Sequence, residues 1–220
     1  MQRTVFSSLH DAARTGQEED ILALVGGSDA EAAVNAEDDF GASPLWYACS
    51  ARPEKPGVVA ALLKYKADVH HCAPAGDLAL HACAREHALT VMRMLLDAKA
   101  DVNACGAAEY TPLKAAITGP VGGLSSVRNT EGHAEAVRLL CESHADPNSS
   151  LSTSLPYDEP PLFVAARCGR VAVIETLLAA KADACARDRH GRTALDQALN
   201  RRPEGLDDIA QLLRRRSDAE

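Results

Sequence analysis

The sequence has few aromatic residues and no long apolar run. Aromatic residues make up 4% of the 220 residues, although hydrophobic residues make up 46%. This composition, with alanine and leucine prominent, favours helices packed through small side chains over an aromatic-rich β core. No run of roughly 18 apolar residues is present that could span a bilayer. Residues 1–16 also lack the apolar segment of a secretory signal. We therefore expect a soluble, intracellular, all-α protein.

Positive charge is also scarce. The chain has 23 Lys and Arg against 31 Asp and Glu, which gives a formal net charge of -8. It therefore lacks the overall positive field that draws proteins to nucleic acid or anionic lipid. The one basic cluster, Arg214 to Arg216, either complements a helix dipole or is a short nucleic-acid or import signal. We expect neither nucleic acid nor a membrane as the partner.

The motifs of common catalytic and metal sites are missing. The 7 cysteines are odd in number and contain no C-x-x-C pair, so we expect reduced thiols. His70, His71 and Cys72 form the densest His/Cys cluster, which is either a polar turn or part of a metal site that needs further ligands. Cys168 lies beside Arg167, but no His or Asp is placed to activate it as a nucleophile. We expect no active site, metal or cofactor.

What the sequence does contain is a repeat. A small or polar pair, a leucine and a short alanine-rich segment recur, with the leucine at Leu9, Leu45, Leu80, Leu113, Leu162 and Leu195. A second landmark, an apolar segment ending in Ala-Asp, recurs as LLKYKADVH, LLDAKADVN, LLCESHADPN and LLAAKADAC. Leu80 and Leu113 are 33 residues apart, as are Leu162 and Leu195, and longer spacings contain insertions. Self-similarity at such a period indicates an array of stacked units.

These segments resemble the ankyrin repeat. The period and the T-P-L-H-x-A pattern of that family are matched by TPLKAAI, the ADVN turn and ARCGRVAVIETLL. The resemblance covers most of the chain. It implies one all-α domain over residues 1–220, a solenoid of about six helix pairs with short β-turn fingers. The predicted repeats are approximately residues 4–37, 38–72, 73–105, 106–150, 151–187 and 188–217.

The residues of one repeat support this architecture on physical grounds. Thr111 can cap a helix, and Pro112 suits the first helical turn. Leu113, Ala116 and Ile117 then form one apolar stripe. Because such short helices are marginal in isolation, we predict that each pair buries its stripe against the next pair.

Several positions depart from the family pattern. At four repeats, a basic residue replaces the glycine that commonly precedes Ala-Asp: Lys66, Lys99, His144 and Lys181. Each is predicted to adopt a left-handed conformation. His87 replaces the glycine between the two helices of the third pair, where we expect a distorted joint. Residues 118–131 contain about 12 extra residues, a flexible loop that is either a tolerated insertion or a partner contact.

The resemblance also implies roles for individual polar residues. His10 and His81 match the histidine of the T-P-L-H pattern, for which the family implies a structural hydrogen bond. Asn103 follows Leu95 in a context similar to that in which asparagine hydroxylases modify ankyrin repeats. The turn needs the same asparagine, so modification of Asn103 stays an open alternative.

By resemblance, a protein partner would bind to the finger tips and the exposed, concave side of the first helices. Aromatic and arginine side chains supply much of the energy of protein interfaces, so we predict aromatic anchors with electrostatic steering by arginines. The predicted partner-binding residues are Asp39, Phe40, Trp46, Tyr47, Arg85, Glu86, Tyr110, Tyr157, Arg167, Arg189, His190 and Arg201. For Trp46 and Tyr47, packing between repeats is the alternative.

We therefore expect a non-catalytic scaffold or adaptor that binds a protein partner, without a cofactor. We expect a monomer or a subunit of a hetero-complex, in the cytoplasm or the nucleus. The alternative is a regulatory or structural subunit of an enzyme or larger assembly. The fold does not identify the partner.

Overall fold

The chain folds into short helices joined by turns. The computed structural model describes residues 2–15, 18–25, 29–73, 76–106, 110–119, 130–149, 159–188, 190–200 and 206–217. Over these ranges the helices are α1 (Gln2–Thr15), α2 (Glu18–Val25), α3 (Ala30–Val34), α4 (Pro44–Cys49), α5 (Pro56–Lys64), α6 (Ala79–Glu86), α7 (Leu89–Asp97), α8 (Pro112–Thr118), α9 (Thr130–Glu142), α10 (Pro161–Cys168), α11 (Val171–Ala179), α12 (Ala194–Asn200) and α13 (Leu206–Ser217).

The helices form two parallel rows. The first row packs in the order α1, α4, α6, α8, α10, α12, and the second row in the order α2, α5, α7, α9, α11, α13. Each first-row helix also packs against its second-row neighbour in sequence, which gives six helix pairs in the described part of the chain. The short helix α3, which the repeat pattern did not predict, lies against α1 and α2. The arrangement is the predicted all-α solenoid.

The start of α8 shows why the repeated motif begins a helix. The Thr111 hydroxyl accepts a hydrogen bond from the Lys114 amide at 3.3 Å, and Pro112 occupies the first turn. Ser43 caps α4 in the same way, with its hydroxyl 3.4 Å from the Trp46 amide. The predicted cap is therefore confirmed at Thr111, and the same chemistry starts an earlier helix.

The core runs along the space between the two rows. Leu113, Ala116 and Ile117 are each at most 1% exposed, as the apolar stripe predicts. The apolar face of α11 is buried as well: Val173, Ile174, Leu177 and Leu178. Alanines of the first row are also almost completely buried: Ala82, Ala84, Ala115, Ala116, Ala165 and Ala166. Small side chains at these positions let neighbouring first-row helices approach closely.

Three of the predicted β-turn fingers are closed by backbone hydrogen bonds between described residues. In the first finger the Gly41 amide donates to the Asp38 carbonyl at 2.9 Å, and the Asp38 amide donates to the Ala42 carbonyl at 3.1 Å. The same two hydrogen bonds join Ala73, Gly76 and Asp77 in the second finger, and Asp188, Gly191 and Arg192 in a later one. These three fingers are thus closed by the same pair of backbone hydrogen bonds, and their side chains differ.

The residues that replace the expected glycines have left-handed backbone. Their φ angles lie between 65° and 71° at Lys66, Lys99, His144 and Lys181. His87 has a φ of 55°, close to the 70° of Gly169 at the corresponding joint between α10 and α11. The predicted distortion at His87 is therefore wrong. The His87 ring stabilises the joint instead, since its Nε2 lies 3.1 Å from the Ala116 carbonyl oxygen.

Asparagine side chains connect successive repeats at the ends of the second-row helices. Asn35 Nδ2 donates to the Lys66 carbonyl at 3.0 Å, and Asn35 Oδ1 accepts from the Asp68 amide at 2.7 Å. We call this pair of hydrogen bonds an asparagine link. Two further links join Asn103 to His144 and Asp146, and Asn148 to Lys181 and Asp183. Each link satisfies backbone groups beside a helix C-terminus that would otherwise depend on water.

We predict that Leu113→Ala lowers the free energy of unfolding by roughly 2 to 5 kcal/mol, because it leaves a cavity between the rows. Urea unfolding followed by circular dichroism measures this loss. Leu199→Ala is the matched control, because Leu199 is 54% exposed on α12 and its truncation should cost about 0.5 kcal/mol or less. Equal losses in the two variants would contradict the placement of Leu113 in the core.

Candidate protein-binding surface

The fingers and the exposed residues of the first-row helices form the surface that we call the finger face. In three central repeats, the finger residue three positions before the motif leucine contacts the helix residue five positions after it. The pairs are Asp77 with Arg85 at 2.5 Å, Tyr110 with Thr118, and Glu159 with Arg167 at 3.0 Å. Arg85 and Arg167 thus already have carboxylate partners within their own repeats. The pairing reduces the net field that these two arginines offer to a partner.

The first finger exposes the phenylalanine at its tip. Phe40 is 74% exposed, against 41% for Leu22 and 54% for Leu199, the other large exposed hydrophobic residues of the described chain. An aromatic side chain in water leaves a large apolar area available for burial by a partner.

The turn that carries Phe40 is held by the Asp38 side chain. Asp38 Oδ1 accepts from the amides of Phe40 and Ala42, each at 2.9 Å, and Oδ2 accepts from the Tyr47 hydroxyl at 2.6 Å. Burial acts to raise the pKa of Asp38, but the hydrogen bonds from Tyr47 and the two amides outweigh it and lower the pKa. The carboxylate therefore stays ionised and fixes the backbone on which Phe40 is presented.

Acidic groups flank the exposed phenylalanine. Glu37 and Asp39 are both exposed. His71, in the turn that follows α5, places its Nε2 3.0 Å from the Gly41 carbonyl oxygen and its Nδ1 3.9 Å from a Glu37 carboxylate oxygen. His71 is therefore engaged with the first finger and ties its tip to the turn after α5.

Trp46 and Tyr47 are half-buried and pack against the core. Their rings meet edge to face with centroids 5.4 Å apart. Trp46 occupies the motif position that holds histidine in the first and third repeats, and its buried Nε1 has no hydrogen-bond partner among the described residues. These contacts favour the packing alternative for both residues, whose role in binding stays a prediction.

The motif histidines make the structural hydrogen bonds that the resemblance implied. His10 Nε2 lies 3.0 Å from the carbonyl oxygens of both Ala36 and Ala42. His81 Nε2 lies 2.7 Å from the Tyr110 carbonyl oxygen, so the ring joins α6 to the following finger. Both histidines therefore belong to the scaffold that positions the fingers.

Of the other predicted binding residues, two lie among the described residues, and three lie outside them. Glu86 contacts Arg52 of the preceding repeat. His190 is exposed at the position in the last finger that Phe40 occupies in the first, and its amide donates to Asp188 Oδ1 at 2.8 Å. Three predicted residues lie outside the described residues: Tyr157, Arg189 and Arg201. The same holds for residues 120–129 of the insertion.

The described residues form neither a metal-binding cluster nor a disulfide. No group of three or more His, Cys, Asp or Glu side chains in the described ranges is arranged to hold a metal ion. All the cysteines are free, and burial raises the pKa of Cys141 to about 11.

No helix in the part of the chain that the structure describes is both long and apolar enough to cross a membrane.

A second concave feature lies on the opposite row of helices. A groove of about 540 Å³ separates α9 from α11 and is lined by small side chains and by Arg138, Glu142 and Glu175. None of the predicted partner-binding residues lines this groove. Sequence reasoning missed it, because its walls come from two second-row helices that only stacking brings together.

Buried His133 and half-buried His87 form a histidine pair where the insertion leaves the array. The rings of His87 and His133 are 3.9 Å apart, and His133 Nδ1 lies 2.8 Å from the Ala116 carbonyl oxygen that His87 also contacts. A Cβ at Gly119 would come within 2.6 Å of the His133 ring, so only glycine fits beside it. Burial, with smaller contributions from the nearby His87 and Arg170, lowers the pKa of His133 to about 4, although the hydrogen bond to the Ala116 carbonyl acts in the opposite direction. Burial lowers the pKa of His87 as well.

Comparison with known protein families supports the repeat assignment. A family model described as "Ankyrin repeats (3 copies)" matches residues 9–106 and again residues 124–220. The two matches together span most of the chain. No curated protein matches the chain.

We predict that the protein loses stability in acid because of its buried histidines. An unfolded histidine binds a proton near its ordinary pKa of 6.5, whereas folded His133 binds one only near 4. The stabilising contribution is thus complete above about pH 6.5 and is lost as the pH falls towards 4, at up to about 1.4 kcal/mol per pH unit for each group. Urea unfolding at pH 7.5 and pH 5 measures this loss.

The variants His133→Gln and Leu199→Ala separate the histidine pair from the other titrating groups, which include buried His81. His133→Gln should reduce the difference in stability between the two pH values. Leu199→Ala removes an exposed side chain that does not titrate and should leave that difference unchanged. Identical pH dependence in the wild type and His133→Gln would rule out a contribution from the pair.

Proposed function

Because the chain belongs to the ankyrin-repeat family, we propose that it is a non-catalytic scaffold or adaptor that binds a protein partner through its finger face. Ankyrin repeats are generally protein–protein interaction modules and are typically non-catalytic. The observation that carries the proposal is the exposure of Phe40 on a turn held by the Asp38 carboxylate. A cytoplasmic or nuclear location remains part of the same prediction.

Phe40 has the properties of an interface anchor. Its backbone is already fixed, so binding costs less conformational entropy than the ordering of a mobile loop would. Burial of an aromatic side chain in a partner's pocket removes a large apolar area from water. Aromatic residues in such settings account for much of the binding energy of protein interfaces.

The charge around Phe40 indicates the chemistry of the partner. Glu37 and Asp39 are exposed beside the tip, and the net charge of the chain is -8. A complementary partner would offer an apolar pocket bordered by Lys or Arg side chains. The paired residues of the central repeats, such as Asp77 and Arg85, would contribute shape and short-range hydrogen bonds rather than net charge.

The groove between α9 and α11 supports a second candidate function. A regulatory or structural subunit that stays in an enzyme or larger assembly would be covered on more than one surface, and this groove offers a second one. Native mass spectrometry of material from the source cell distinguishes the two functions. A free monomer with an exchangeable partner supports the adaptor, and a stoichiometric assembly supports the subunit.

We predict that Phe40→Ala weakens binding of the principal partner by about 30-fold, which corresponds to about 2 kcal/mol for loss of an interface anchor. Affinity capture with quantitative mass spectrometry identifies the partner, and titration calorimetry measures the change. The melting temperature should stay unchanged, because the side chain of Phe40 is mostly in water.

Leu22→Ala serves as the control for this prediction. Leu22 is also an exposed hydrophobic residue, at 41%, but it lies on the second-row helix α2. Binding that survives Leu22→Ala and is lost with Phe40→Ala supports the finger face. Undiminished binding by Phe40→Ala would remove the first finger from the interface.

A further inference from the structure

The junction between the second helix pair (α4 and α5) and the third (α6 and α7) lacks an asparagine link. His70 stands where three other junctions place Asn35, Asn103 or Asn148, and Cys185 stands at the same position of the junction between α10–α11 and α12–α13. The turn at His70 has the same hydrogen bond as a turn that carries a link. The His70 amide donates to Asp68 Oδ1 at 2.8 Å, and the Asn103 amide donates to Asp101 Oδ1 at 2.9 Å. Only the side chain differs.

At this junction, contacts from the joint between α4 and α5 take the place of the asparagine link. The joint spans residues 50–55, whereas residues 87–88 suffice between α6 and α7. The longer joint brings Arg52 across the junction, where its guanidinium forms an ion pair with Glu86 at the end of α6. The side chain of Arg52 is 59% exposed, so this contact is accessible to salt ions.

The same joint supplies a cap to the next repeat. Helix α7 has Ala88 at its N-cap, which has no side chain that accepts a hydrogen bond. Glu54 takes this role from the preceding repeat: its carboxylate accepts from the Thr90 amide at 3.2 Å and from the Thr90 hydroxyl at 2.9 Å. The negative charge also lies at the positive end of the α7 dipole.

We propose that the junction between α4–α5 and α6–α7 is a salt-sensitive hinge, at which helices α1–α5 separate from the rest of the array when its ionic contacts are screened. In a linear array each interface contributes its own stability, so the weakest junction opens first. The screening length falls from about 10 Å at 0.1 M salt to about 3 Å at 1 M. Asparagine links carry no charge and are insensitive to this change.

The hinge has a consequence for the position of the first finger. Phe40 lies on the α1–α5 side of the junction, and the later fingers lie on the other side. Opening would therefore change the distance between Phe40 and the fingers that follow α7. This inference concerns the array itself and holds whether or not Phe40 binds a partner.

Hydrogen exchange of the full-length chain, read by mass spectrometry at 0.05 M and 1 M NaCl, tests the hinge. We expect high salt to accelerate exchange in α4 and α5 relative to α8 and α9, which asparagine links join to both neighbouring pairs, by about fivefold, the factor for a charge–dipole contact of ordinary strength. Glu54→Gln should produce a similar acceleration at low salt, because the carboxamide keeps the shape and removes the charge.

Two further variants make the test specific. His70→Asn should install the missing link and abolish most of the salt effect. Glu31→Gln is the matched control: it breaks an exposed ion pair with Lys66, 3.0 Å long, that crosses a junction already joined by Asn35, and it should leave exchange in α4 and α5 unchanged. A salt effect spread evenly over all helices, or undiminished in His70→Asn, would overturn the proposal.

Discussion

No helix of this protein can bury its apolar face alone, and the rest of the structure follows from that constraint. Helices such as α4 and α8 are only 6 and 7 residues long, too short for stable isolated helices in water. Their leucines and alanines are nevertheless almost fully buried, because a helix pair on each side covers them. Stability therefore resides in the interfaces between pairs, and a change in one interface acts mainly on its neighbours.

The polar contacts between pairs differ from junction to junction, although the apolar packing is repetitive. Asparagine links use neutral side chains that satisfy backbone groups at the ends of second-row helices. At the junction after α5, Glu54 and Arg52 act instead through charge. Backbone groups at helix ends need partners in either case, but only the charged contacts respond to ionic strength. The apolar core of the array is thus repetitive, whereas the sensitivity of its polar contacts to salt differs between junctions.

The first and last fingers combine the same backbone hydrogen bonds with different side chains at their tips. Asp38 and Asp188 hold the first and last fingers with the same hydrogen bonds from backbone amides. The side chain presented on this common turn is phenylalanine in one finger and histidine in the other. In the central repeats, pairs such as Glu159 with Arg167 satisfy their own charges. Variation in side chains on a rigid backbone is how one fold serves different partners.

The sequence by itself determined the features that depend on residues close together along the chain. The Thr111 cap, the stripe from Leu113 to Ile117, the finger turns and the left-handed basic residues all follow from local rules, and a 33-residue period places them in register. Only the tertiary structure decided which distant groups meet. His87 was expected to distort its joint, but Ala116 of the next repeat lies within reach of its ring. Glu54 caps a helix that begins 35 residues later in the chain, at Leu89. Such contacts cross between stacked pairs, and their geometry is set by the packing of whole helices rather than by the residues that precede or follow.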